Sequence, residues 1–300
     1  MSDEVMTLDL DARQRAMLQE MHIPVWWPAA QVVQAETPVA EPQAARRAVP
    51  AAAVREEPAA REARSASVAP ATLVAKTAPP TPQRAERPSG IETMGWAELQ
   101  QAVAGCTACK LCSTRKNTVF GVGPAAPADG VAPRADWMIV GEAPGENEDI
   151  KGEPFVGQAG KLLDNMLRAI GVSRNEPDAA PPKSAFITNV LKCRPPANRN
   201  PEPDEVAQCE PFLKRQIELL QPKIILAVGK FSVQSLLQDS VPDVQTTPLG
   251  RLRGKTYAYQ GVPVVVSYHP AYLLRSLPEK AKAWADLCLA MSVKKEADAG

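Results

Sequence analysis

The sequence lacks three features that would assign it to a simple class. No run of about 18 apolar residues occurs, which argues against a membrane-spanning helix. Only two of the 300 residues are histidines, so a site that depends on imidazole has few candidates. The 34 lysines and arginines are balanced by 34 aspartates and glutamates, so no strong basic charge points to nucleic acid. Neutrality does not exclude such a ligand, because phosphate contacts depend on local charge.

Aromatic residues are absent between Pro28 and Ile91, where Ala, Pro, Glu and Arg dominate. Such a stretch cannot bury enough apolar surface to offset the entropy of ordering its backbone. The Trp26-Trp27 pair that precedes it is either a docking peptide for a protein partner or a local hydrophobic cluster. We predict four segments: an N-terminal helix and arm (1–30), a disordered linker (31–93), a folded domain (94–293) and a flexible C-terminus (294–300).

The compartment follows from the N-terminus and the cysteines. The first residues, Met-Ser-Asp-Glu-Val-Met, are acidic and do not resemble a signal peptide, so we expect a cytoplasmic protein. In a reducing compartment, six cysteines are better explained by metal ligation or burial than by disulfides.

Short apolar runs alternate with segments of helical periodicity from residue 94 onward, which is typical of a parallel sheet covered by helices. We therefore predict an α/β fold with three layers (α/β/α) and a central, mainly parallel sheet of four strands. The predicted strands are Trp137–Gly141, Ala185–Val190, Lys223–Val228 and Val262–Ser267. Functional loops are expected at their carboxyl ends.

Four cysteines form two pairs, or clips, that together suit one metal centre: Cys106 with Cys109 in the first clip, and Cys193 with Cys209 in the second. Four thiolates bind either zinc or an iron–sulfur cluster, and spacing alone does not separate the two. Cys112 is a spare thiol that could replace Cys109.

Chemistry-bearing residues follow the predicted strands. His269, directly after a buried strand and before a proline, is the domain's one candidate imidazole and is more plausibly functional than structural. The Gly141-Glu-Ala-Pro-Gly145 turn brings backbone close to a ligand and carries Glu142, with Glu148 shortly after it. These carboxylates suit stabilising a developing cation or orienting water; the alternative is a solvated acidic loop. Phe155 either stacks on a base or fills the core.

An apolar segment beside a cation follows His269. Leu273 and Leu274 are expected to be exposed beside the cation Arg275 and to enter a base stack as a wedge; the alternative is an ordinary helix start.

Taken together, these motifs resemble the family 4 uracil-DNA glycosylases from Cys106 to Met291. They are Cys106-x-x-Cys109, Gly141-Glu-Ala-Pro-Gly145 with Glu148-Asp149, Pro154-Phe-Val-Gly157, Asn189-Val-Leu-Lys-Cys193-Arg-Pro-Pro-Ala-Asn198-Arg, Cys209 and His269-Pro-Ala-Tyr-Leu-Leu274.

The resemblance implies base flipping, hydrolysis of the N-glycosidic bond of uracil in DNA and a structural [4Fe–4S] cluster. It also implies a role for each matched residue. The catalytic residues are Glu142 (stabilising the sugar cation), His269 (donating to the uracil oxygen) and Asn198 (holding water); the substrate-binding residues are Phe155, Asn189, Glu148, Gly141 and Ala143; the DNA-binding residues are Leu273, Leu274 and Arg275; the cluster ligands are Cys106, Cys109, Cys193 and Cys209.

We expect a monomeric repair enzyme that acts on uracil-containing DNA, single- or double-stranded, and that contacts no membrane. Two alternatives remain open. One is a non-catalytic scaffold of the same fold that recruits a partner, and the other is a glycosylase for another deaminated base such as hypoxanthine.

Overall fold

The computed structural model describes residues 12–21, 88–124, 126, 131–175 and 180–299, which belong to one structural unit. The Trp26-Trp27 pair and residues 31–87 of the predicted linker lie outside the described residues.

A mainly parallel five-stranded sheet forms the centre of the unit, in the order β2-β1-β3-β5-β4. The predicted α/β class is confirmed, but the prediction of four strands missed the edge strand β4, which pairs antiparallel with β5. The strands are β1 (Trp137–Gly141), β2 (Ala185–Asn189), β3 (Ile224–Val228), β4 (Thr256–Tyr259) and β5 (Val262–Ser267).

Helices cover both faces of the sheet. In the described part of the chain they are α1 (Ala12–Glu20), α2 (Trp96–Ala104), α3 (Glu146–Lys151), α4 (Gln158–Ala169), α5 (Pro203–Leu220), α6 (Lys230–Leu237), α7 (Leu249–Leu252), α8 (Pro270–Arg275) and α9 (Glu279–Ala299).

Side chains of each buried strand alternate between two hydrophobic cores, as the pleat requires. In β1, Met138 and Val140 pack with residues of α2, α5 and α6, whereas Trp137 and Ile139 pack with residues of α4 and α9. The sheet is therefore the middle of three layers, and its functional loops emerge at one edge.

Parallel pairing aligns the ends of β1 and β2. Gly141 is registered with Asn189, and the ladder continues beyond the strands because Val190 N–H donates to Gly141 O (3.0 Å) and Leu191 N–H donates to Glu142 O (3.0 Å). The two loops that carry Glu142 and Asn189 are thus joined through their backbones.

Ordered structure is present at both ends of the predicted folded domain. Ile91 is buried, and α9 continues to Ala299, so residues 294–299 are helical. Lys294 is buried and forms ion pairs with Asp136 (2.9 Å) and Asp298 (2.7 Å), which explains the extension. Within the described ranges, no helix is both long and apolar enough to span a membrane.

Candidate active site

A cavity of about 480 Å³ opens where β1, β2 and β5 end. Most of the residues predicted for an active site line it together: Glu142, Ala143, Glu148, Phe155, Asn189, Asn198, His269 and Arg275. Residues distant in sequence converge here because parallel strands present their carboxyl ends at the same edge.

The Asn189 amide is buried at 2% exposure on the cavity wall, and its Oδ1 has no hydrogen-bond partner within the described residues. An unpaired buried polar atom is costly and indicates a ligand group. Gly141 makes room for it: a Cβ there would lie 2.4 Å from Asn189 Oδ1 and 2.7 Å from Phe155 Cζ. Gly141 therefore leaves the space that the Asn189 and Phe155 side chains occupy.

The rings of Phe155 and His269 lie next to each other in the cavity wall. Their ring centroids are 5.4 Å apart and their planes differ by 27°, a stacked arrangement. The Phe155 ring, predicted either to stack on a base or to fill the core, is buried and also lines the cavity, so it joins both environments.

His269 is the N-cap of α8, and its Nδ1 accepts the backbone N–H of Ala271 (3.2 Å). Burial lowers the pKa of His269 to about 4, helped by the nearby positive charge of Arg275. The imidazole is thus neutral at physiological pH, with its proton on Nε2, which makes that atom a hydrogen-bond donor.

The carboxyl group of Glu142 has no ion-pair partner in the described part of the chain. Burial raises the pKa of Glu142 to about 7. A carboxyl group perturbed by desolvation inside a cleft is typical of a functional site.

Two other acidic residues after β1, Glu148 and Asp149, accept hydrogen bonds from the backbone. The carboxylate of Glu148 accepts the backbone N–H groups of Gly145 (3.1 Å), Val156 (2.9 Å) and Gly157 (3.2 Å). Asp149 is buried and accepts the N–H of Lys116 (2.9 Å). The solvated acidic loop that was considered is thus not observed at these two positions, and Glu148 shapes the pocket through the backbone.

Asn198 is held in a left-handed conformation (φ 54°) on an exposed loop. Arg194 Nε donates to Asn198 Oδ1 (2.8 Å), which leaves the NH₂ group of the amide free to donate. The loop is anchored by Arg199, whose guanidinium forms two hydrogen bonds with the buried Glu205 carboxylate (2.9 and 2.5 Å).

The two leucines predicted as a wedge lie in different environments. Leu273 is fully buried and packs in the core with residues of α4 and α9, so its predicted exposure is wrong: one turn of α8 turns this side chain inward. Leu274 (42% exposed) and Tyr272 (38% exposed) face solvent beside the cavity, and Arg275 is exposed.

The four predicted cysteine ligands line one small cavity near the first site. All are free thiols, and burial raises the pKa of Cys193 to about 11 and that of Cys209 to about 12. Arg115 donates to Cys193 Sγ (3.0 Å). Cys112 lines the same cavity, so either Cys109 or Cys112 is placed to act as the second ligand of the first clip. No three His, Cys, Asp or Glu side chains of the described residues are spaced to hold a single metal ion.

The sequence of this chain is similar to that of known proteins. Residues 128–288 match the Uracil DNA glycosylase superfamily. The chain is 41% identical to the type-4 uracil-DNA glycosylase of Archaeoglobus fulgidus over 181 residues (59% of this chain, 82% of the relative). Identity to the type-4 enzymes of Saccharolobus solfataricus (43%; 60% and 77% covered) and Sulfurisphaera tokodaii (42%; 59% and 74% covered) is similar.

The chain belongs to the type-4 uracil-DNA glycosylases. This confirms the family resemblance and the enzyme class that the motifs predicted.

One residue of this type-4 glycosylase, Lys192, supports the site without having been predicted to do so. Lys192 is buried at 1% exposure and donates to Thr188 Oγ1, Asn189 O and Gln216 Oε1, each at 2.7 Å. It lies between Asn189 and the cysteine cavity, which it also lines. A lysine inside a motif carries no sequence signal of burial, so only the fold reveals this link.

Proposed function

We propose that this chain is a DNA-repair enzyme that flips uracil out of DNA and hydrolyses its N-glycosidic bond, releasing uracil and leaving an abasic site. The observation that carries the proposal is a single cavity that gathers Glu142, Asn189 and His269, which are the groups needed at the sugar, at the base edge and at the leaving oxygen. Its volume of about 480 Å³ is in the range of small-molecule sites.

The base edge is read by Asn189. Its unpaired Oδ1 accepts the ring N–H of uracil while the amide N–H₂ donates to the neighbouring carbonyl. Cytosine lacks that ring N–H and presents an amine instead, so it leaves the buried Oδ1 without its partner. Phe155 packs against the face of the base.

The leaving base gains negative charge as the bond to the sugar breaks. The neutral His269, with its proton on Nε2, donates to the uracil oxygen that receives this charge. A neutral donor suits this role, because its proton is held in place by the Ala271 N–H on the opposite nitrogen.

The sugar becomes cationic at the same time. The ionised Glu142 carboxylate lies without an ion-pair partner in the described residues and stabilises that cation. The free NH₂ group of Asn198 orients the water that attacks it. The oxygen of this water bonds to the sugar carbon, and the proton that the water releases is taken up by the uracil anion, which completes the hydrolysis.

The cysteines support a structural [4Fe–4S] cluster held by Cys106, Cys109, Cys193 and Cys209. All four cysteines line one small cavity. Four thiolates bind either zinc or an iron–sulfur cluster, and the family resemblance favours the cluster. The Arg115 guanidinium, which donates to Cys193 Sγ, offsets the negative charge of bound thiolates. When bound, the cluster pins distant segments of the chain beside the active-site loops.

The test uses end-labelled oligonucleotides that differ at one base: uracil, thymine, cytosine or hypoxanthine, each in single-stranded and duplex form. Wild-type protein is expected to yield alkali-labile sites and free uracil from the uracil strands only. Release of hypoxanthine at a comparable rate would support the alternative hypothesis of a glycosylase for another deaminated base. Absence of all cleavage by iron-replete protein would support a non-catalytic scaffold.

His269→Ala is expected to lower kcat for uracil release about 100-fold, as the loss of one preorganised donor does elsewhere. Single-turnover cleavage of a single-stranded uracil oligonucleotide measures it. The melting temperature and the affinity for the same oligonucleotide serve as controls and should change little. A loss confined to affinity would place His269 in binding rather than in chemistry.

Leu274→Ala is expected to slow uracil release from a duplex about tenfold, a barrier change of about 1.4 kcal/mol, and to leave single strands nearly unaffected. Only the duplex contains a gap for the side chain to fill. The matched variant Leu273→Ala should behave differently: it empties a buried position and should lower the free energy of unfolding by about 2–5 kcal/mol. Equal slowing on both substrates by Leu274→Ala would contradict the wedge role.

A further inference from the structure

The backbone of Phe155 has an unusual conformation. Its φ of 53° lies in the left-handed region, which residues with a side chain rarely adopt. Such a conformation persists only when surrounding contacts impose it, and it is often found at functional sites. The turn aims the ring into the cavity beside His269 rather than along the chain.

The Arg174 side chain donates hydrogen bonds to two carbonyl groups of this turn. Arg174, after α4, donates from one terminal nitrogen to Pro154 O (2.7 Å) and from the other to Phe155 O (2.7 Å). The planar guanidinium presents its N–H groups in a fixed fork, so the two carbonyls must lie at a defined separation.

Arg174 is itself held in place. Its Nε lies 2.9 Å from Asp164 Oδ1, and a terminal nitrogen donates to Asp164 Oδ2 at 2.9 Å, so the carboxylate is engaged by both of its oxygens. Only 8% of the Arg174 side chain is exposed. Paired, largely buried guanidinium groups of this kind have little freedom to move.

Helix α4 also packs against this turn. A Cβ at Gly160 would lie 1.7 Å from Phe155 O, so the helix backbone contacts the same carbonyl to which Arg174 donates. The Phe155 carbonyl is therefore held by both the Arg174 guanidinium and the backbone of α4.

We propose that Arg174, fixed by Asp164, is a positioning residue that imposes the left-handed turn at Phe155 and so sets the aromatic face against which the flipped base stacks. The inference rests on the proposed uracil-releasing function. Arg174 does not line the cavity and acts only through Phe155.

The test compares Arg174→Met, which keeps the aliphatic length and removes all donors, with Arg174→Lys, which keeps one charge but not the fork. Arg168→Met, an exposed arginine on α4 whose guanidinium bonds to the Asn165 side chain, is the matched control. The readouts are kcat, KM, the inhibition constant of free uracil and the melting temperature. Wild-type uracil release is established first, so that a failure of the proposed function is seen separately.

Arg174→Met is expected to raise KM and the inhibition constant of free uracil by the same factor, about tenfold, as expected for weakened base stacking. Arg174→Lys should show an intermediate effect, and Arg168→Met none. In a double-mutant cycle, Phe155→Leu/Arg174→Met should bind uracil no more weakly than Phe155→Leu alone.

Two results would overturn the inference: an inhibition constant for uracil that stays at the wild-type value while the melting temperature falls, or losses that add in the double variant. If Arg174→Met does not fold, the same comparisons are made with Arg174→Lys. That variant must then weaken uracil binding, and the loss must disappear in the Phe155→Leu background.

Discussion

The Glu142→Gln variant is expected to show a kcat/KM for uracil release about 1000-fold below that of the wild type. A carboxylate about 4 Å from a positive charge near a protein surface contributes about 4 kcal/mol, which corresponds to this factor. Gln keeps the shape of the side chain and removes the charge, so substrate affinity should change far less than kcat. Single-turnover kinetics on a single-stranded uracil oligonucleotide separate the two.

The matched control is Glu153→Gln, an exposed carboxylate in the loop that leads to Phe155. It should retain wild-type kinetics. A small effect of Glu142→Gln, within a few-fold of this control, would contradict the assignment of Glu142 to the sugar cation.

The same carboxylate sets the pH dependence. Because burial raises the pKa of Glu142 to about 7, the group is protonated below that pH and ionised above it. If the ionised form is required, kcat/KM must rise as the pH increases through about 7 and then level off. His269, whose pKa is lowered to about 4, stays neutral across this window and adds no second limb. If kcat/KM of the Glu142→Gln variant still rises as the pH increases through about 7, the pH dependence belongs to another group.

Burial of Glu142 also acts on stability. A carboxyl group with a raised folded-state pKa favours the folded protein when it is protonated, and this contribution is lost as the pH rises through the folded-state value. Glu142→Gln should therefore melt at a higher temperature than the wild type above neutral pH. Such a gain with a loss of activity is the expected trade-off at an active site.

Periodicity predicted the buried elements well and the exposed edge poorly. Strands β1 and β5 begin and end at the predicted residues, because short apolar runs bounded by turns leave few alternatives. Strand β4 alternates between half-buried and exposed residues over only four positions. The sequence feature that indicates β4 is the two-residue turn Gln260-Gly261 between β4 and β5. Both residues have positive φ, as a tight hairpin requires, but a Gln-Gly pair predicts such a hairpin only weakly.

Motifs identified the site residues but not their orientation. Leu273 and Leu274 are adjacent and chemically identical, yet one is buried and the other exposed, because the direction of a side chain depends on how α8 packs on α4. Glu142 and Glu148 both follow β1, yet the Glu142 carboxylate lies at the cavity without an ion-pair partner among the described residues, and the Glu148 carboxylate accepts three backbone N–H groups. Arg174 lies outside every motif, and only the distances to Pro154 and Phe155 reveal it.

Replacing Cys209 by Ser is expected to abolish iron and sulfide binding and to unfold much of the domain. A structural metal site supplies binding free energy on the order of 10–16 kcal/mol, which is comparable with the whole stability of about 5–15 kcal/mol of a typical domain. Cys209 is buried on α5, where it packs with Leu111, Leu191 and Cys193. Iron and sulfide content, visible absorbance and the melting temperature of purified protein measure the effect.

Cys112→Ser is the matched control, since Cys112 lines the same cavity without belonging to the proposed ligand set. It should keep full iron content, whereas Cys109→Ser should lose it. Iron loss in Cys112→Ser with retention in Cys109→Ser would show instead that Cys112 is the ligand in the first clip.

The loss should reach the active site even where the protein stays soluble. Ala143, next to Glu142, packs against the cysteines, and Lys192, next to Cys193, donates to the carbonyl of Asn189. Disorder at the cysteines therefore displaces both the sugar-facing and the base-reading loops, although no cysteine touches the cavity itself. Soluble Cys209→Ser protein should accordingly fail to bind free uracil. Uracil binding at wild-type strength by iron-free protein would show that these loops hold their positions without the cluster.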